Sequence, residues 1–81
     1  MPKALESEIA DIWKEILGVQ RVAPEHDFFE IGGSSFHAAR VVTKTRAAFG
    51  VKLSAQSLFK HPTLVDFAAH VRSAEPSPAR A

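Results

Sequence analysis

Residues 27–36 of this 81-residue chain read Asp-Phe-Phe-Glu-Ile-Gly-Gly-Ser-Ser-Phe. The aromatic pair can anchor a loop to a hydrophobic core, and the glycine pair gives the backbone a freedom that includes positive φ. The two serines stand where a helical pattern begins, and a helix start offers unpaired N–H groups and the positive end of a dipole. A phosphate attached to a hydroxyl at that position would be stabilised by these same groups. The stretch therefore predicts a loop that presents a modifiable serine at a helix N-terminus.

Helical patterns flank this loop on both sides. Apolar spacing or a capping signal predicts four helices, over residues 5–17, 35–49, 54–59 and 64–73. Ser54 is expected to cap the short third helix, which ends before Pro62. Thr63 and Asp66 form a capping-box pattern at the start of the last helix. The sequence thus predicts an all-α fold, a small four-helix bundle with three main helices, one short helix and a long loop between helices one and two.

The composition limits the classes of function. Residues 1–73 are long enough for one small domain, and the Pro-rich residues 74–81 are expected to form a tail or linker. A net charge of +1 is too small to predict nucleic-acid binding. No apolar run has the length of a membrane span, and the lack of cysteine excludes disulfides and thiolate metal ligands. We expect a cytoplasmic monomer that binds neither nucleic acid nor membrane.

The serine pair has a plain structural interpretation beside a chemical one. Either Ser34 or Ser35 could cap the second helix without any further role. The surrounding residues do not form the Gly-x-Ser-x-Gly turn of hydrolases, because Phe36 and His37 follow the serines. No acid stands where it would orient His37, so the sequence predicts no catalytic residue. The histidines lack the spacing of a metal site, and no metal is expected; they are His26, His37, His61 and His70.

Residues 27–35 resemble the core motif of peptidyl carrier proteins, the thiolation domains of nonribosomal peptide synthetases. Two further segments resemble the same family: residues 12–19 match its first helix and the exit from it, and residues 51–63 match the connection between its last helices. The resemblance covers about residues 5–72. Agreement of three spaced segments is far more specific than a lone Gly-Gly-x-Ser.

The resemblance implies a carrier that is not itself an enzyme. Ser35 would accept 4′-phosphopantetheine from coenzyme A, with Gly33 and Ser34 beside it in the attachment motif. A separate phosphopantetheinyl transferase, with its metal, would activate the hydroxyl, and the thiol of the arm would hold an aminoacyl or peptidyl group as a thioester. The implied partners are that transferase, an adenylation domain, and condensation or tailoring enzymes of antibiotic and other secondary-metabolite biosynthesis.

Two positions depart from the usual motif. Ser34 stands where the family often has His or Asp, so two hydroxyls are adjacent and only the alignment selects Ser35. Phe36 stands where Leu or Ile is common, and an exposed aromatic beside the attachment point indicates a partner contact. We expect Phe36, Ala39 and Leu58 to form a docking patch on the exposed sides of helix two and the short helix.

Two other functions fit the sequence less well. An acyl carrier of fatty-acid or polyketide synthesis uses the same arm, but it usually has Asp-Ser-Leu at the attachment site and an acidic second helix. Here the second helix carries Arg40, Lys44 and Arg46 and no acid, which would disfavour docking to basic partners. A small helical DNA-binding or scaffold domain would leave the Gly-Gly-Ser-Ser loop unexplained.

Overall fold

The computed structural model describes residues 4–76, in which it contains four α-helices and no strand longer than an isolated bridge. The helices are α1 (Leu5–Leu17), α2 (Ser35–Phe49), α3 (Ala55–Lys60) and α4 (Leu64–Ser73). The predicted all-α bundle of three main helices and one short helix is confirmed. The bounds of α1, α2 and α4 are those predicted. α3 begins and ends one residue later than predicted, because Ser54 lies outside the helix as its N-cap and Lys60 continues the turn.

Three aromatic rings from different segments form the centre of the core. Trp13 of α1 meets Phe28 of the long loop edge to face, with ring centroids 4.9 Å apart, and lies 6.1 Å from Phe67 of α4. All three side chains are fully buried. Because burial of large apolar surface is the main force that stabilises a small domain, this cluster fastens the long loop to α1 and α4.

The long loop of residues 18–34 is also held by backbone hydrogen bonds to the α3–α4 connection. The N–H of Phe28 donates to the carbonyl of Pro62 at 2.7 Å, and the N–H of Leu64 donates to the carbonyl of His26 at 3.1 Å. Asp27 and Thr63 form an isolated antiparallel bridge there. These bonds order the segment that leads into α2, so the start of that helix has a fixed position.

The chain after α4 does not leave the domain at once. The N–H of Lys52 donates to the carbonyl of Glu75 at 2.8 Å, and Val51 bridges Pro76. The first residues of the predicted tail thus pair with the α2–α3 connection, while residues 77–81 of that tail lie outside the described residues. In the part that is described, no helix is long and apolar enough to cross a membrane.

Candidate functional site

The two glycines before α2 have different structural tasks. Gly32 has a φ of 111°, a conformation that residues with a side chain rarely adopt. Gly33 lies against Phe28: its N–H donates to the Phe28 carbonyl at 2.9 Å, and a Cβ on Gly33 would come within 2.6 Å of that oxygen and nearer still to the ring. Gly32 therefore turns the chain, and Gly33 allows the loop to pass directly over the buried aromatic ring.

Asp27 organises the turn before the glycines. Its carboxylate oxygen Oδ1 accepts from the N–H of Phe29 at 2.8 Å and from the N–H of Glu30 at 3.2 Å. Its carbonyl accepts from the N–H groups of Glu30 and Ile31, each at 3.1 Å. An aspartate that bonds to backbone two and three residues ahead is a common way to fix a turn, and here the turn sets the direction in which the chain reaches the serines.

Ser34, and not Ser35, is the N-cap of α2. Its Oγ accepts from the N–H of His37 at 3.3 Å, while its own N–H donates to Nδ1 of the His37 ring at 3.2 Å. Oγ of Ser34 also lies 2.9 Å from that Nδ1. This reciprocal arrangement is a capping box in which histidine takes the place usually held by Glu or Gln. The Ser34 hydroxyl is thus engaged in holding the helix end.

Ser35 is the first residue of α2, and its side chain is free. The residue is exposed, and its Oγ makes no hydrogen bond within residues 4–76. The first intrahelical bond of α2 is donated by Ala38 to the carbonyl of Ser34 at 2.8 Å, so the N–H groups of Ser35 and Phe36 point out of the helix end without an intrahelical partner. The first turn also carries no acidic residue. The site therefore combines an accessible hydroxyl with unpaired donors and no opposing negative charge.

The His37 ring is bonded to Ser34 and not to Ser35. Its Nδ1 is occupied by Ser34, and no hydrogen bond joins the ring to the Ser35 hydroxyl in the described residues. The capping role of His37 was not predicted. The spacing Ser34-x-x-His37 carried the signal, because it has the form of a capping box with a different acceptor at the third position.

The exposure expected at the predicted docking patch is found at two positions and not at the third, and contact with partners stays a prediction. Phe36 is 69% exposed and Ala39 is exposed. Leu58, however, is 0% exposed and belongs to the core, whereas the neighbouring Phe59 is 49% exposed. Adjacent residues on a helix point about 100° apart, and here Leu58 faces the core while Phe59 faces outward. The ring of Phe59 stacks on Phe29 at 5.0 Å, at the outer side of α3.

A second group of titratable side chains joins α3 to α4 away from Ser35. The rings of His61 and His70 stack with centroids 4.6 Å apart, and Nε2 of His70 lies 3.2 Å from Oγ of the buried Ser57. Burial lowers the pKa of the His70 imidazole below its usual range, and the positive charges of His61 and Lys60 lower it further. Among residues 4–76, no three histidine or acidic side chains are grouped as a metal site.

Comparison with known proteins identifies the family. The family described as a phosphopantetheine attachment site matches residues 7–71. The chain belongs to this family. The attachment domain is 47% identical over 70 residues to the phosphinothricin tripeptide synthetase PhsB of Streptomyces viridochromogenes, a match that covers 86% of this chain and 6% of that protein. The attachment domain thus spans a very small part of the synthetase that it matches.

Two solved structures that contain a peptidyl carrier protein are similar to this chain in both fold and sequence. A chain in the complex of the phosphopantetheine transferase Sfp with coenzyme A and a peptidyl carrier protein is 33% identical, with a TM-score of 0.83 over 90% of this chain and 95% of that one. The McyG A-PCP structure with phenylalanyl-adenylate is 36% identical, with a TM-score of 0.80 over 86% of this chain and 11% of that one. The resemblance to peptidyl carrier proteins is confirmed.

The residues present at the start of α2 suit a phosphopantetheine group. The group joins a protein through a phosphodiester, which needs a free hydroxyl and is stabilised by N–H donors at a helix end. Ser35 offers the hydroxyl, and the N–H groups of Ser35 and Phe36 are unpaired there. The 81-residue sequence has no cysteine, and a phosphopantetheine group would bring a thiol to it.

Proposed function

We propose that the Ser35 hydroxyl is the attachment point of the phosphopantetheine arm and that the domain carries an aminoacyl or peptidyl group in nonribosomal peptide biosynthesis. The observation that supports this most strongly is the difference between two adjacent serines. Ser34 is hydrogen-bonded to His37 on both its Oγ and its N–H, while Ser35 is exposed with its Oγ unpaired.

This chain contributes to the attachment by positioning the Ser35 hydroxyl. Ser35 Oγ forms a phosphodiester by displacing adenosine 3′,5′-bisphosphate from coenzyme A, and its proton passes to the transferase, because no base of this chain lies on the hydroxyl. The start of α2 then holds the phosphodiester next to unpaired N–H groups, where the helix dipole favours negative charge. The domain needs no catalytic residue of its own for this role, and we propose that it is not an enzyme.

The arm supplies the terminal thiol that holds the cargo as a thioester. We propose that the domain acts as a cytoplasmic monomer whose partners are a phosphopantetheinyl transferase, an adenylation domain, and condensation or tailoring enzymes. The structures with Sfp and with an A-PCP pair support the first two, since the carrier chains in them are similar to this one. A flexible tether raises the effective concentration of its cargo at each such partner into the mM range.

Residues 1–73 form the carrier domain in this proposal, and residues 74–81 lead out of it as a linker. Glu75 is held at the domain surface by its carbonyl, which accepts from the N–H of Lys52 at 2.8 Å, and by a 3.5 Å ion pair to the Lys52 ammonium. A linker that begins with this contact would leave the domain beside the α2–α3 connection.

The serine pair provides matched variants for a test. Ser35→Ala, incubated with coenzyme A, Mg²⁺ and a broad-specificity transferase, is expected to gain no mass while keeping the helical circular dichroism of the parent. Ser34→Ala is expected to gain one phosphopantetheinyl unit but to lose about 1 kcal/mol of unfolding free energy, because it loses the helix cap. Intact-protein mass and thermal melting of the same samples measure both effects.

Loading of Ser35→Ala together with failure of Ser34→Ala would move the attachment point to Ser34. A folded parent chain that gains no mass would contradict the carrier function itself. A Ser35→Ala variant that loses its helices along with its loading would make Ser35 a structural residue.

We further propose that Phe36, Ala39 and Phe59 contact the partner enzymes, with Phe59 in place of the buried Leu58. Phe36→Ala is expected to slow cargo transfer with a partner about tenfold, the effect of a modest interface hot spot. Its melting temperature should change little, because Phe36 is 69% exposed.

Leu58→Ala is the contrasting variant for this test, since removal of a buried leucine costs about 2–5 kcal/mol of unfolding free energy. If Phe36→Ala lowered the melting temperature as much as Leu58→Ala, Phe36 would belong to the core and not to the docking patch.

A further inference from the structure

A groove of about 630 Å³ runs between α1 and α2, and one end of it is formed by Phe36. From Phe36 it follows α2 to Ala47, a distance of about 16 Å at the helical rise of 1.5 Å per residue. Ala39, which lines the groove, lies one helical turn after Ser35 on nearly the same face of α2, and Phe36 is the chain neighbour of Ser35, so the groove begins within one turn of the Ser35 hydroxyl.

The depression exists because α2 presents short side chains on this side. Ala39, Thr43 and Ala47 follow one another at intervals of four residues and lie on one face of the helix. Ile16 closes the groove from α1. Glu15 and Lys44 also line the groove, and the Lys44 ammonium pairs with the Glu15 carboxylate at 2.7 Å, which ties the two helices together.

The lining suits a ligand that is partly apolar and partly rich in hydrogen-bond acceptors. Phe36, Ile16 and the alanines provide apolar contact, and Arg40 contributes a guanidinium with several N–H donors. Pantetheine has this character, with a dimethyl-substituted carbon, amide carbonyls and a hydroxyl along one chain. The volume also lies in the range of about 300–1,000 Å³ that is typical of small-molecule sites.

We propose that the phosphopantetheine arm on Ser35 rests along this α1–α2 groove between its visits to partner enzymes. This inference depends on the proposed attachment to Ser35. The tether makes a weak site sufficient: an arm held at an effective concentration of about 1 mM occupies a groove with a dissociation constant of about 1 mM half of the time. The arm remains able to leave, as a carrier requires.

Two alanines at the end of α2 allow a matched test. Ala47 lines the groove, whereas its exposed neighbour Ala48 lies on another side, near Glu8 and Ile12 of α1. Ala47→Trp fills the far end of the groove, and Ala48→Trp adds the same bulk to the same helix turn outside it. Backbone amide chemical shifts are compared between the unmodified and the loaded form of each ¹⁵N-labelled protein, with loading established by intact mass.

In the parent and in Ala48→Trp, loading is expected to shift the amides of Ile16, Thr43 and residue 47 as well as those of residues 34–37. In Ala47→Trp, the shifts at Ile16 and Thr43 should fall by at least half. The arm thiol gives a second measurement, because a thiol reagent should react with it about twofold faster in loaded Ala47→Trp than in loaded Ala48→Trp if half of the arms rest in the groove.

A loaded parent whose shifts are confined to residues 34–37 would overturn the groove proposal, and so would equal behaviour of the two tryptophan variants. If the chemical shifts of Ile16 and Thr43 changed only after a partner enzyme was added, the groove would be a contact site for that partner and not for the arm. Absence of any mass gain on loading would instead mean that the attachment proposal has failed, so the two failures are distinguishable.

Discussion

At the scale of single residues, the two adjacent glycines are needed for different reasons: one for its backbone angle and the other for a close contact. Gly32 provides a positive φ, with open space around the position where a Cβ would lie. Gly33 has no positive φ, but a Cβ there would collide with Phe28. The sequence predicts backbone freedom for both residues and cannot distinguish them, because the contact with Phe28 depends on how the loop folds over the core.

Gly33→Ala is expected to reduce the unfolding free energy by about 1–3 kcal/mol, the usual effect of forcing extra carbon into a packed site. The displaced Phe28 ring touches Trp13, with centroids 4.9 Å apart, so tryptophan fluorescence of the folded protein should change as well. Gly32→Ala is the control, since its strain lies in the backbone and its fluorescence should match the parent. Parent-like stability and fluorescence in Gly33→Ala would contradict this account of the close contact.

The two serines at the start of α2 show the same limit of prediction from sequence. The sequence leaves both hydroxyls as candidates for the helix cap, because both residue types and both positions are suitable. The structure separates them through His37, whose ring bonds to Ser34. Histidine is an uncommon partner in a capping box, so propensity alone gave no reason to expect it.

At the scale of elements, periodicity predicts long helices well and short ones less well. α1, α2 and α4 extend over at least two turns, and their apolar rows define the buried face. α3 has only six residues, which is fewer than two turns, so the apolar pattern does not determine which of its sides faces the core. The prediction that Leu58 is exposed was wrong for this reason: the structure buries Leu58, and the neighbouring Phe59 lies on the outer side, stacked on Phe29.

The contact between α3 and α4 predicts a dependence of stability on pH. The pKa of His70 is lower in the folded state than its ordinary value of 6.5, first because of burial and then because of His61 and Lys60. The unfolded chain therefore takes up a proton more readily as the pH falls. The stabilisation by neutral His70 is complete above about pH 6.5 and is lost as the pH falls through the folded pKa.

His70→Gln should flatten this dependence, because an amide keeps a hydrogen-bonding group near Ser57 and does not titrate in this range. Chemical denaturation at pH 7.5 and pH 5 would show a smaller loss of unfolding free energy in His70→Gln than in the parent. If His70→Gln and the parent lost the same amount, the His61–His70 pair would not be responsible.

At the scale of the whole molecule, the residues that stabilise the described domain are buried, and those proposed to serve its function lie on its surface. The buried aromatic rings fix the loop and the helices, while the Ser35 hydroxyl, the exposed Phe36 and the groove along α2 all lie on the outside. The helix bounds, the loop and the serine pair are local properties and can be predicted from the sequence. The groove cannot, because it is formed by Ile16 and Ala47 from helices that come together only in the folded domain.

Whether Ser35 carries the arm is best decided in the unsubstituted chain, where both serines are present, by locating the modified residue. The protein is incubated with coenzyme A, Mg²⁺ and a transferase, and the peptide that contains both serines is isolated. Electron-transfer mass spectrometry cleaves its backbone between Ser34 and Ser35 and so reports which hydroxyl carries the group. The account predicts one phosphopantetheinyl unit, on Ser35. A unit on Ser34, or on any other residue, would contradict it.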